Sequence, residues 1–200
     1  MTASVVAIDF SNNAIARGNC SCFPAISAPV AARSMLKFGD RNGARGVAAK
    51  GSALAARLVA LDPGNVGNAT MQVSMLATAS DIEYRSGQFE TAARLARESI
   101  AADARLPAET RAGLITRESV VGAMRSLGCA NCALAETNSQ PRAQRIKLLK
   151  EAQSLLAQSR AFKQELVDRK IDAREASAAI GEIDAELKKC GVLMATLVRD

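Results

Sequence analysis

One glycine between two helix-forming stretches constrains this chain more than any other feature. Gly87 stands in Ser86-Gly87-Gln88, with apolar residues at helical spacing on both sides. Glycine takes a positive φ at little steric cost, so the tripeptide predicts the end of one helix and a tight turn into the next. The first helix is expected from about Asn68 to Arg85 and the second from about Phe89 to Ala102. Ala92, Leu95, Ala96, Ser99 and Ile100 share one face of the second at 3/4 spacing. Most of them are small, so a neighbouring helix axis can come close. Such a hairpin cannot bury both faces alone and asks for neighbours of the same kind.

Composition points the same way. Aromatic residues make up 3% of the chain against 48% hydrophobic, with one Tyr and no Trp, so Ala and Leu carry the apolar surface. That favours closely packed helices over a sandwich or barrel. The chain contains no His. The commonest general base, the Ser/His and Cys/His nucleophile pairs and His metal ligands are therefore absent. A non-catalytic protein without a cofactor is expected. Residues 1–57 hold seven basic side chains against Asp9 and Asp40, and the rest of the chain is nearly neutral despite the overall net charge of +6. A nearly neutral body argues against nucleic-acid binding by the helices. No window approaches 18 apolar residues, so no membrane span is expected. Met1 to Phe10 has neither a basic start nor a long apolar run, which predicts no secretory signal and a reduced, cytoplasmic setting.

Residues 1–46 are punctuated by Asn12-Asn13, Gly18-Asn19, Pro24, Pro29, Gly39-Asp40 and Asn42-Gly43, and read as a basic, mostly irregular leader. Gly39 to Gly51 reads as a linker; it lacks the order of a phosphate-binding loop. A helical body is expected over 47–190, followed by a frayed tail over 191–200. Its first helix is Val47 to Leu61, stopped by Asp62-Pro63-Gly64-Asn65. The opening hairpin follows. A long helix is then expected from Ala108 to about Glu136, with Pro107 in place to start it. After the polar break Thr137 to Pro141 come helices from Arg142 to about Arg169 and from about Asp172 to Lys189. FETAARLARES (89–99) and LKEAQSLLAQS (149–159) align without gaps, placing Ala92 on Ala152, Leu95 on Leu155 and Ser99 on Ser159. This internal echo predicts a repeat. The fold class expected is all-α, a short right-handed array of antiparallel helical hairpins.

At these residues the chain resembles the tetratricopeptide-repeat proteins. Gly87 and Ala92 have that repeat's spacing of turn Gly and small residue. Ala60-Leu61-Asp62-Pro63 looks like the end of a preceding repeat, and Leu127-Gly128 like the start of a following one. The usual aromatic positions are mostly absent, so the repeats are degenerate. Residues 50–190 are similar to the C-terminal repeat region of bacterial serine/threonine protein kinases, without the kinase domain. The resemblance implies a protein-binding role, in signalling, and no kinase activity. A remnant module of such a protein is one alternative.

Two sets of residues are candidates for function. In a repeat array the first helix of each hairpin lines the concave surface, which puts Ser74, Thr78, Asp81, Tyr84 and Arg85 on the expected face for a partner protein or peptide. Tyr84 beside Arg85 has the makings of a binding anchor. The second set is Cys129-Ala-Asn-Cys132, whose thiols share one helix face. It reads as packed small side chains, with a zinc or redox pair as the alternative; a zinc site would need Cys20 and Cys22 as its other half, and their CxC spacing is poor for one.

Overall fold

The computed structural model describes residues 23–137 and 139–199, with side chains from residue 28 onward. Among these residues the chain is all-α, with eight helices and no strand. They are α1 (Phe23–Lys37), α2 (Arg41–Leu61), α3 (Val66–Arg85), α4 (Phe89–Asp103), α5 (Ala108–Ala112), α6 (Leu114–Glu136), α7 (Arg142–Asp168) and α8 (Ala173–Arg199).

Local chemistry explains the turns. Gly87 has φ 79°. The Gln88 N–H donates to the carbonyl of Glu83 and the Gly87 N–H to that of Tyr84, both at 2.9 Å. This is a Schellman closure, with the glycine in the left-handed region. Gly39, φ 87°, does the same for α1: Asp40 N–H donates to Met35 and Gly39 N–H to Leu36. Lys170, φ 56°, closes α7 in the same way, with Ile171 N–H on Leu166 and Lys170 N–H on Val167. Asp40 and Asn65 then start the following helices, accepting from the backbone N–H of Gly43 and Asn68.

Three sequence expectations are corrected here. Residues 23–46 are helical and packed: α1 and the start of α2 bury Ala28, Ala32 and Ala44. The Gly39-Asp40 break is a helix end followed by an N-cap, so what reads as punctuation is a tight turn. Asn42, Gly43 and Gly46 lie inside α2. The expected helix from Ala108 is broken at Gly113, which is extended with ψ 139°. No residue of α5 is buried, so nothing holds that turn in line with α6. Residues 191–199 continue α8 and bury Leu197. The expectation for residues 1–22, Cys20 and Cys22 included, lies outside the described residues.

The helices pack in chain order: α1 on α2, α2 on α3, α3 on α4, α4 on α6, α6 on α7 and α7 on α8. A second set of contacts joins α1 to α3, α3 to α6 and α6, lightly, to α8. The hairpins α3/α4 and α6/α7 are held alike. Buried Ser99 donates to the Val73 carbonyl at 2.9 Å; buried Ser159, at the matching place, donates to Leu155 of its own helix at 2.9 Å, with the Val121 carbonyl 3.3 Å away. Ser80 donates to the carbonyl of Ala92 at 2.9 Å. The corresponding place in the second hairpin holds Gly128, whose missing Cβ would stand 3.3 Å from the Ala152 carbonyl. The central core gathers Ala92, Ala96, Leu127, Leu149, Leu156 and Ile183.

Two tests follow from the turns and from α1. Gly87→Val forces a β-branched residue to positive φ and is expected to cost about 1–2 kcal/mol. Lys170→Gly removes the same strain from α7 and is expected to stabilise by ~1 kcal/mol; urea titration measures both. A chain truncated to begin at Arg41 uncovers the faces of α2 and α3 that α1 packs on. It is expected to melt at a clearly lower temperature than the full chain by circular dichroism.

Candidate interaction groove

The first helices of the hairpins run side by side, and a groove of about 500 Å³ opens between them. Its walls come from α3, α6 and α8, with Arg33 of α1 and Lys163 of α7 at its edge. At one end the walls meet. The Tyr84 hydroxyl on α3 donates to the Glu186 carboxylate on α8 across 3.2 Å. One turn back, Arg125 of α6 stands between two carboxylates, 3.6 Å from Asp81 on α3 and 3.1 Å from Glu182 on α8. Arg85 pairs with the same Asp81 at 3.1 Å. Farther along, the lining is small: Ser74 and Ala77 on α3, Gly122 on α6, Ala178 and Ala179 on α8. The open end carries exposed Ile115 and a pair between Lys163 and Glu118 at 3.1 Å.

The structure brings Ser74, Asp81 and Arg85 together in the groove. It places the other two predicted residues differently. Thr78 is fully buried behind the wall, and its hydroxyl accepts from the Arg33 guanidinium at 3.3 Å. Tyr84 is half-buried against the core, its ring 5.9 Å from that of Phe89. Burial, with Cys129 and Glu186 close by, pushes the Tyr84 hydroxyl above its ordinary value and keeps it protonated. The expected anchor is therefore a brace between α3 and α8.

Among the groove residues that the sequence does not single out are Arg33, Gly122, Arg125 and Glu182. The signal for the last existed. Glu175, Ala178, Ala179, Glu182 and Glu186 fall at 3/4 spacing, on the face adjoining the buried Ala176, Ile183, Cys190 and Leu197. Arg33 lies in the stretch that reads as irregular, which hid its face.

Cys129 and Cys132 are both buried on α6. Burial pushes the Cys129 thiol up to about 12, with Glu186 adding to it. Cys190 on α8, and then burial, push the Cys132 thiol up. All three are free thiols. Among the described residues no three His, Cys, Asp or Glu side chains converge as a metal site. The basic start of α7 has an internal use. The Arg142 guanidinium donates to the Leu197 carbonyl and that of Arg145 to the Ala135 carbonyl, both at 2.6 Å. Each caps the C-terminal end of a neighbouring helix, where cations are favoured. Among the described residues no helix is long and apolar enough to cross a membrane.

No protein-family model, curated protein or solved structure matches the chain.

The Tyr84 brace is testable. Tyr84→Phe keeps the ring packing and removes the bond to Glu186, an expected loss of about 1–2 kcal/mol in chemical denaturation. Tyr84→Ala removes the ring as well and is expected to cost more. A surface-exposed Tyr would tolerate both.

Proposed function

We propose that the chain is a non-catalytic interaction scaffold that holds a polypeptide segment of a partner protein between α3, α6 and α8. The observation that carries this reading is the groove itself: a wedge about 500 Å³ in size, floored by small residues and flanked by fixed charges. Basic and acidic side chains are balanced along it, as Arg33, Arg85, Arg125 and Lys163 against Asp81, Glu118, Glu175 and Glu182. Such a surface suits a segment of mixed charge better than a nucleic acid, which requires a basic stripe.

The order of contacts supports a degenerate tetratricopeptide-like array as the architecture. Each helix packs on the next, while α1, α3, α6 and α8 form an inner row. The matching places of buried Ser99 and Ser159, each within 3.3 Å of a carbonyl on the preceding helix, are what repetition of one hairpin produces. The three described cysteines are free, which suits a reducing compartment such as the cytoplasm.

Gly122 allows a direct test. It lines the groove, and a Cβ built there meets nothing within 4 Å. Gly122→Arg therefore starts a long side chain into the groove with no clash at its Cβ, and it raises helix propensity. Peptides selected on the wild-type chain from a random displayed library are expected to bind Gly122→Arg about 30-fold more weakly, ~2 kcal/mol. Arg94→Ala, on the exposed face of α4, is the control and should bind as wild type. Equal affinity for both variants would move the binding site off this groove.

A further inference from the structure

We propose that the groove selects its segment at the open end, where the partner presents a large apolar side chain to Ile115, flanked by an acidic residue toward Arg33 and a basic residue toward Glu175. This rests on the interaction reading above and names the chemistry of the partner. Charges already paired within the fold select a ligand poorly, because a pair must first be given up. At the closed end all four are paired: Arg125 stands between Asp81 and Glu182, and Arg85 holds Asp81 from the other side. Two helical turns back along α3, α6 and α8, about 10 Å, come Ser74, Glu118 and Glu175. There Glu118 is taken by Lys163 at 3.1 Å. Glu175 is exposed, and among the described residues its side chain enters no ion pair or hydrogen bond. Arg33 is exposed as well and has no carboxylate partner among the described residues. It gives one donor to the buried Thr78 hydroxyl, which holds its guanidinium against α3.

The order of the helices sets the order of these contacts. α1 packs on α3, α3 on α6, and α6 touches α8. Arg33 and Glu175 therefore stand on opposite sides of the groove, with Ile115 of α6 between them. Ile115 is 74% exposed, whereas Val121 and Ile183, the other large apolar residues of the lining, are buried. Covering Ile115 is thus the apolar gain that the groove still offers. A positive flank and a negative flank also give the site a direction. A segment laid across it the other way would meet like charge on both sides, and repulsion of that kind discriminates more strongly than attraction alone.

The test selects peptides from a random displayed library on the full chain and on its variants, with circular dichroism as the folding check. The wild-type chain is expected to yield peptides with an apolar residue between an acidic and a basic one. Selection on Glu175→Lys should turn the basic position acidic, and selection on Arg33→Glu should turn the acidic position basic. Wild-type peptides should bind each of these variants about tenfold more weakly. They should recover on Glu175→Lys once their own basic residue is changed to Glu. Ile115→Ser should also weaken them about tenfold. Glu175→Gln and Arg33→Gln, which disturb the fold less, should each lose one charge preference without gaining its opposite. If the charge-reversed variants select the same charges as wild type, the proposal is overturned, while the groove reading stands on the loss at Gly122→Arg. If Gly122→Arg binds the peptides as well as wild type, or no peptide is selected, both fall.

Discussion

Helix α6 passes α7 so closely at Gly128 that a Cβ there would stand 2.8 Å from Cγ of Leu156. The rest of the body depends on approaches of this kind. Close axes bring the carbonyls of one helix within reach of hydroxyls on the next, and Ser80 and Ser99 use that reach. A buried hydroxyl must find an acceptor, so each bond also fixes how far one helix slides along its neighbour. Large side chains at these crossings would part the helices and leave the serines unsatisfied. The scarcity of aromatic residues and the abundance of Ala are the compositional trace of this packing.

Where the sequence is legible, it is because one local rule decides. The left-handed turn at Gly87, the limits of α4 and the limits of α7 follow from a glycine, a proline and 3/4 spacing. Where two rules compete, the reading goes astray. Residues 23–46 carry Pro29, Gly39, Gly43 and Gly46, each unfavourable to helix by propensity, yet Ala28 and Ala32 on α1 and Ala44 on α2 are fully buried. Tertiary burial outweighs the propensity of single residues. At Gly113 the balance tips the other way, because α5 buries nothing. The length of α8 was available in principle. Ala176, Ile183, Cys190 and Leu197 recur every seven residues, interleaved with Ile180, Leu187 and Met194, and this seam runs unbroken past Lys189.

The groove was half legible for a related reason. Helical spacing puts Ser74, Asp81 and Arg85 on one face, and that face lines the groove. Spacing says nothing of what stands opposite. Tyr84 falls to a brace because α8 comes round to meet it, and Arg125 of α6 turns to Glu182 because α8 also reaches α6. Both partners lie more than fifty positions away in the chain. The internal echo was seen in the second helices of the hairpins. In the first helices it is carried by Ser80 and Gly128, alike only in being small, and no letter-by-letter alignment finds them.

Helices stacked each on the next leave the angle between non-neighbours to whatever ties those together. The hydroxyl-to-carboxylate bond from Tyr84 to Glu186 joins α3 directly to α8. Among the described residues no other side-chain hydrogen bond joins those two helices, so one hydroxyl, with Arg125 between Asp81 and Glu182, ties α3 to α8 at that end of the groove, and the end near Ile115 and Glu175 has no such tie.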